Sequence, residues 1–139
     1  MDHRTIGGRE SLVQLMTQES TTFEAARQAA GIAAIKAEVA RDFGYSVRQI
    51  DSRMRDEPLT AARHAAMTIA RDLTEASFPD LARAFNRENH NSVRHALDSN
   101  AKRRKASKRF RLRLDAIEQR LHIQIAKINE GTICQTTSQ

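Results

Sequence analysis

Side chains able to both donate and accept hydrogen bonds crowd one stretch, RAFNRENHNSVRHAL (83–97), where Asn89, His90, Asn91, Ser92 and Arg94 fall within six positions. Asparagine presents a carbonyl and an amide side by side, the pair that matches the N6 and N7 edge of adenine. The arginine fork matches guanine O6 and N7. Serine suits a phosphate or a base edge. Downstream, Val93, Ala96, Leu97 and Ala101 recur at helical spacing and give an apolar anchoring face. Asn91, Arg94, His95 and Asp98 fall on the opposite side. Asn89 is a good N-cap for a helix starting at His90. Its positive end would then carry the polar side chains outward, as a DNA-reading helix requires. The same residues also suit an ordinary helix start, in which Asn89 only caps and the others meet water.

Other chemistries find little support. The five histidines (3, 64, 90, 95, 122) form no i,i+4 pair and no H-E-x-x-H motif. The five glycines cannot form a G-x-x-x-x-G-K-[ST] phosphate loop. One cysteine, Cys134, excludes an internal disulfide and a cysteine zinc site, and its polar tail GTICQTTSQ suggests no role. No enzyme, cofactor, metal or nucleotide is expected. No apolar run approaches the roughly 20 residues of a bilayer span, and the N-terminus lacks signal-peptide order. Both point to a cytoplasmic, nucleoid-associated protein without a membrane partner.

Charge is segregated. The formal net charge is +6, and residues 1–50 and 51–97 are each balanced, so the whole excess lies in 98–139. Most of it is in KRRKASKRFRLR (102–113). Such a block is a surface for polyanions or a solvated helix face. In the first case Lys102, Arg103, Arg104, Lys105, Lys108, Arg109 and Arg111 would flank DNA held by the reading helix, each phosphate neutralised adding about 0.9 to the salt slope.

The elements that must position these residues read as helices. The 139 residues suffice for one domain with a modest core, and scarce Pro and Gly with abundant Ala, Arg, Glu, Gln and Leu favour an all-α fold of five to six helices. A short helix is expected over Glu10 to Thr17. A second segment runs to Phe43, and Gly31 is expected to interrupt it; beyond it Ile32, Ile35, Val39 and Phe43 form a stripe. Gly44 is a natural stop. A short helix follows over Val47 to Met54, then one opened by Pro58 with Leu59, Ala62, Ala66, Ile69, Ala70 and Leu73 on one face. Ser77 and Asp80 make a capping-box pattern for a helix over 78–85 that buries Phe78, Leu81, Ala82 and Phe85. A tight turn, Asn86-Arg87-Glu88, joins it to the helix from His90, giving a helix-turn-helix. Finally Phe110, Leu114, Ile117, Leu121, Ile125 and Ile128 form a stripe suited to self-packing or to a homodimer seam through 110–128. Three parts are expected: an N-terminal extension (1–34), the helix-turn-helix domain (35–105), and a C-terminal helix with a polar tail (106–139).

The segment 35–97 resembles the C-terminal DNA-binding domain (domain IV) of the bacterial replication initiator DnaA, without its ATPase. ARHAAMTIARDLT (62–74) matches a run of Arg, an Ala-Met-rich stretch, a basic residue and Glu-Leu-Thr. SFPDLARAF (77–85) matches Ser-Leu-Pro-x-Ile-Gly-x-x-Phe. NRENHNSVRHA (86–96) matches Gly-Gly-Arg-Asp-His-Thr-Thr-Val-x-x-Ala. The resemblance implies that Asn89, His90, Asn91 and Ser92 enter the major groove and that Arg55 enters the minor groove. It implies that Arg63, Arg71, Thr74, Ser77 and Pro79 lie near phosphates, with Arg87 standing in for the signature arginine that Glu88 replaces. Asn89 for Asp, and Asn91 and Ser92 for the threonines, alter donors, acceptors and a methyl group, so a different DNA site from the family's is expected. The function expected is a sequence-specific double-stranded DNA-binding protein regulating transcription or modulating replication. The alternative is a nonspecific nucleic-acid or protein-interaction adaptor using 102–113.

Overall fold

The computed structural model describes the backbone of residues 2–137 and the side chains of 23–128 and 130. Six α-helices occur in the order α1 (Asp2–Phe43), α2 (Val47–Ile50), α3 (Glu57–Leu73), α4 (Phe78–Ala84), α5 (His90–Ala106) and α6 (Lys108–Thr137). The fold is all-α.

The center of the molecule is α3, which packs against all five other helices. Its alanines explain why. Ala62, Ala65, Ala66 and Ala70 are fully buried, and such small side chains let neighbouring helices approach closely. Leu59, Met67 and Ile69 supply bulk between them. The rest of the core comes from Ile32, Ile35 and Val39 of α1, Leu81 and Phe85 of the α4 region, Val93 and Ala96 of α5, and Leu114, Ile117 and Leu121 of α6.

Two expected boundaries are corrected. The helix over Glu10 to Thr17 is not separate, and Gly31 does not break the chain: α1 is one helix through both. A Cβ at Gly31 would sit 3.4 Å from the Thr74 methyl, so this glycine serves the close approach of α1 to the end of α3. The side chains of Leu12, Val13 and Met16 lie outside the described residues, as does that of Cys134. The helix from Val47 ends at Ile50, four residues short of Met54. Arg63 accounts for the early stop, as its guanidinium terminates α2 from the side: Nε donates to the Ile50 carbonyl (2.7 Å) and Nη2 to that of Gln49 (3.3 Å).

The stripe on α6 is filled by the chain itself. Leu114, Ile117 and Leu121 are fully buried and Phe110 and Ile125 pack at the margin, against α1, α3 and α5. Arginines close the edges. Arg113 donates to the Asp42 carboxylate and carbonyl and covers the Phe43 ring at 3.9 Å. Arg120 donates to Glu38 (2.6 Å), which also accepts from Arg41. Burial alone would raise the Glu38 pKa, but its bonds to Arg120 and Arg41 outweigh that and hold it below the ordinary value. The apolar stripe considered as a homodimer seam is therefore occupied within one protomer.

Candidate nucleic-acid interface

The helix-turn-helix is α4, the turn 85–89 and α5. Ser77 caps α4 in a reciprocal box: its Oγ accepts from Asp80 N–H, and the Asp80 carboxylate accepts from Ser77 N–H. The Ser77 side chain first, then the Ser77 N–H and Arg83, keep the Asp80 pKa below its ordinary value against a small opposing effect of burial. Pro79 sits in the first turn, where no N–H is needed. After Phe85 the chain reverses at Asn86, whose φ of +57° is the left-handed conformation. Asparagine tolerates it better than other non-glycine residues, which explains its presence where the resembling family has glycine. Arg87 fastens the turn. Its Nη2 donates to the Ser52 carbonyl and its Nε to that of Phe85.

This turn delivers the start of α5 to the surface. Asn89 is the N-cap: its Oδ1 accepts from Asn91 N–H (2.9 Å) and Ser92 N–H (3.3 Å). Its amide Nδ2 makes no bond among the described residues. Asn89, His90, Asn91 and Arg94 are exposed and Ser92 partly so, while Val93, Ala96 and Asn100 are buried on the other face. The sequence pattern thus brings its polar tip together.

The remaining expected site residues divide. Arg55 is exposed in the loop before α3 and has no partner among the described residues. Lys102 is likewise exposed and unpaired. Arg71 is exposed, donates to the Ala76 carbonyl (2.7 Å) and stacks on Phe78. The Ser77 side chain is exposed and engaged with Asp80 in the capping box. Thr74 is engaged locally, donating to the Ala70 carbonyl and accepting from Ala76 N–H.

Three phosphate candidates have partners within the protein. Arg63 is only 4% exposed and serves the end of α2. Burial lowers its pKa and Arg87 adds to that, against the opposing charge of Asp51. Arg87 is half-buried in the turn, with its pKa lowered by burial and by Arg53, opposed by Asp51. Arg103 bonds His64 Nδ1 (2.9 Å) and Glu57 (3.1 Å). In each case protein acceptors occupy part of the guanidinium.

Two residues carry more of the site than the sequence reading gave them. Phe78 was expected in the core; it is only half-buried and has Arg71 and Arg94 within cation–π range of its ring. His64 stands edge-on to His95, with ring centroids 6.1 Å apart, and anchors Arg103. Burial first, then the charges of Arg103, His95 and Arg63, with Glu57 opposing, bring its pKa down to about 4. Only the apolar context of α3 around position 64 hinted at this.

The Arg55 loop is fastened to the turn just before the tip: Arg53 pairs with Glu88 at 3.2 Å and Arg87 donates to the Ser52 carbonyl. At its other end Glu57, the first residue of α3, pairs with Arg103 of α5.

Comparison with known proteins agrees. Residues 32–99 match the family model described as the bacterial dnaA protein helix-turn-helix. The chromosomal replication initiator protein DnaA of Nautilia profundicola is 31% identical over 85 residues, 61% of this chain and 20% of that protein. That of Streptococcus equi subsp. zooepidemicus is 34% identical over 62 residues, 45% of this chain and 14% of that protein. The chain thus spans about a fifth or less of these relatives. A crystal structure of a DNA replication initiation factor superposes with a TM-score of 0.72 at 28% identity, over 88% of this chain and 37% of that one. Residues 32–99, just under half of this chain, are thus similar to the bacterial DnaA helix-turn-helix family.

Proposed function

We propose that the protein binds double-stranded DNA sequence-specifically through α5 and acts by occupying sites, regulating transcription or modulating replication from a cytoplasmic, nucleoid-associated position. One observation carries this reading: the exposed polar tip of Asn89, His90, Asn91 and Ser92 at the positive end of a helix whose other face is locked in the core. Asn89 Nδ2, His90 and Asn91 read base edges in the major groove. Arg55, exposed in the loop before α3, reaches the minor groove, where a narrow A·T-rich segment attracts arginine. Ser77 and Arg71 hold phosphates beside the tip, and Lys102 holds one near the Arg55 end. Binding is electrostatic plus hydrogen-bonded and needs no cofactor, metal or nucleotide. The domain works as a binding module, without catalysis.

The test is selection of bound duplexes from a randomised library, then alanine at His90 and Asn91. Wild-type protein should enrich one site, and the double variant should lose most of the discrimination, about 100-fold at 1–3 kcal/mol per base contact. Equal binding of random and selected duplexes by the wild type would leave only the nonspecific adaptor reading. That reading is favoured by one observation, the exposed and unpaired Lys102, Lys105, Lys108, Arg109 and Arg111. Truncation before α6 cannot separate the two, because it would remove Leu114, Ile117 and Leu121 from the core.

A further inference from the structure

Phe78 has two guanidiniums within cation–π range of its ring. Arg71 Cζ is 4.7 Å from the ring centroid and Arg94 Cζ is 5.7 Å from it. Both distances are within the range where a cation is attracted to an aromatic face. The two arginines differ in freedom. Arg71 is pinned by its bond to the Ala76 carbonyl. Arg94 makes no hydrogen bond or ion pair among the described residues, although Asp98 lies one turn along the same helix. Its one recorded contact is the ring. Phe78 therefore does for Arg94 what a carboxylate often does for an arginine, with a difference in chemistry. A carboxylate occupies the edge of the guanidinium, where the N–H groups point. A ring occupies the face and leaves all the edge donors available.

Arg94 stands one turn after His90 and Asn91, on the exposed side of α5. A side chain there that swung freely would lose rotamer entropy on docking. Held over Phe78, it meets the groove already placed. The charge of Arg71, also within cation–π range of the ring, places two cations beside one aromatic, a local excess that favours an electron-rich acceptor. The resembling family has leucine at the position of Phe78, so this stack is a feature of this chain.

We propose that Phe78 is a positioning residue that preorganises Arg94 to read a guanine, making the pair a specificity determinant of this protein. The proposal rests on the DNA-reading function proposed above. It adds one prediction about the site itself: a guanine that depends on Arg94 and, through it, on Phe78.

The experiment begins with the duplex selected by the full chain. Affinities for that duplex and for variants at each base pair are then measured for wild type, Phe78→Leu, Phe78→Trp, Arg94→Lys, Arg94→Ala and the double variant Phe78→Leu/Arg94→Ala. Phe78→Leu keeps apolar volume and removes the aromatic face, and thermal unfolding of each variant checks that it folds. One guanine position should lose about tenfold discrimination in Arg94→Lys, which keeps the charge and loses the fork. Phe78→Leu should relax the same position and no other. Phe78→Trp should restore it, and the double variant should be no worse than Arg94→Ala. Full discrimination in Phe78→Leu would overturn the proposal while the DNA-reading function stands. So would an even loss across all sequences with a salt slope lower by about 0.9, which would make Arg94 a phosphate contact. A wild type that selects no site would overturn both readings.

Discussion

Two corners of this molecule are rich in cations and use them oppositely. Where α2, α3 and the turn of the helix-turn-helix meet, Arg63 and Arg87 point inward onto the carbonyls of Gln49, Ile50, Ser52 and Phe85. Lys36 joins them there, donating to the Ala84 carbonyl, pairing with Asp51 at 2.9 Å and lying over the Phe85 ring. Where α5 meets α6, Lys102, Lys105, Lys108, Arg109 and Arg111 are exposed and unpaired among the described residues. The difference lies in the acceptors. Short helices such as α2 and α4 end in carbonyls that their own turns cannot satisfy, and those ends are close to the core. A cation beside them becomes structural. At the α5–α6 corner the carboxylates Asp115 and Glu118 already face Arg104, and the end of α5 is capped by the Ser107 N–H on the Arg103 carbonyl, so the outward cations have no acceptor to serve.

The largest test of this contrast is Arg63→Ala. It strips two charge-assisted bonds from buried carbonyls and should cost about 2–4 kcal/mol of stability. Arg55→Ala, a few residues away in an exposed loop, should change stability by no more than about 0.5 kcal/mol and instead weaken binding to the selected duplex. Urea denaturation and DNA titration on both variants give the comparison. Equal stability losses would erase the division between inward and outward arginines.

Acidification probes the join between the two corners, where His64 holds Arg103. The pKa of His64 in the folded protein, about 4, lies below its ordinary 6.5. Between those values the unfolded chain binds a proton that the folded chain refuses. Its contribution is therefore complete above about pH 6.5 and is lost as the pH falls toward 4. Going from pH 7.5 to 5 should remove about 2 kcal/mol from wild type. His64→Gln keeps an acceptor for Arg103 and should flatten that dependence. Glu38, held below its ordinary value, loses its contribution only at lower pH. Glu118 acts in the other direction: burial raises its pKa, with Asp72 and Asp115 adding and Arg104 opposing, so protonation favours the folded state. A His64→Gln profile parallel to wild type would show that the histidine carries none of the effect.

The helices and their caps were readable because they rest on local chemistry. Ser77 with Asp80, Asn89 before His90, and Pro58 at the start of α3 each act within one turn, and each stands where the pattern put it. The stripe on α6 was readable as apolar, though its partner was not. The reading of Gly31 failed because the glycine answers to Thr74, 43 positions away in the chain. The internal partners of the arginines were unreadable for the same reason. Nothing local separates Arg63 from Arg55, or Arg103 from Lys102; the distinction is which distant carbonyl or ring lies within reach. The resemblance placed the tip residues together, but it could not reveal that Phe78 supports Arg94, since both depart from the leucine-based pattern or fall on an unspecified position.

The basic block 102–113 offers the finest version of the comparison, because one continuous run of charge divides into two uses. Arg104 and Arg113 reach acids on α6 and α1, and Arg120, a little further along, joins Arg113 at Asp42. The lysines between them reach none. Replacing Lys105, Lys108 and Arg109 together by glutamine should leave the unfolding midpoint nearly unchanged and lower the salt slope of DNA binding by up to about 2.7, at 0.9 per phosphate contact. Site preference should persist, since none of the three reads a base. Arg120→Ala should do the reverse. Arg120 is half-exposed, and Glu38 retains Arg41, so the loss should be about 1 kcal/mol or less, with no change in slope. If the glutamine variant keeps the full slope, the open corner does not touch DNA at all. The outward cations would then be a solvated face, and the positive excess of the chain would bear on solubility alone.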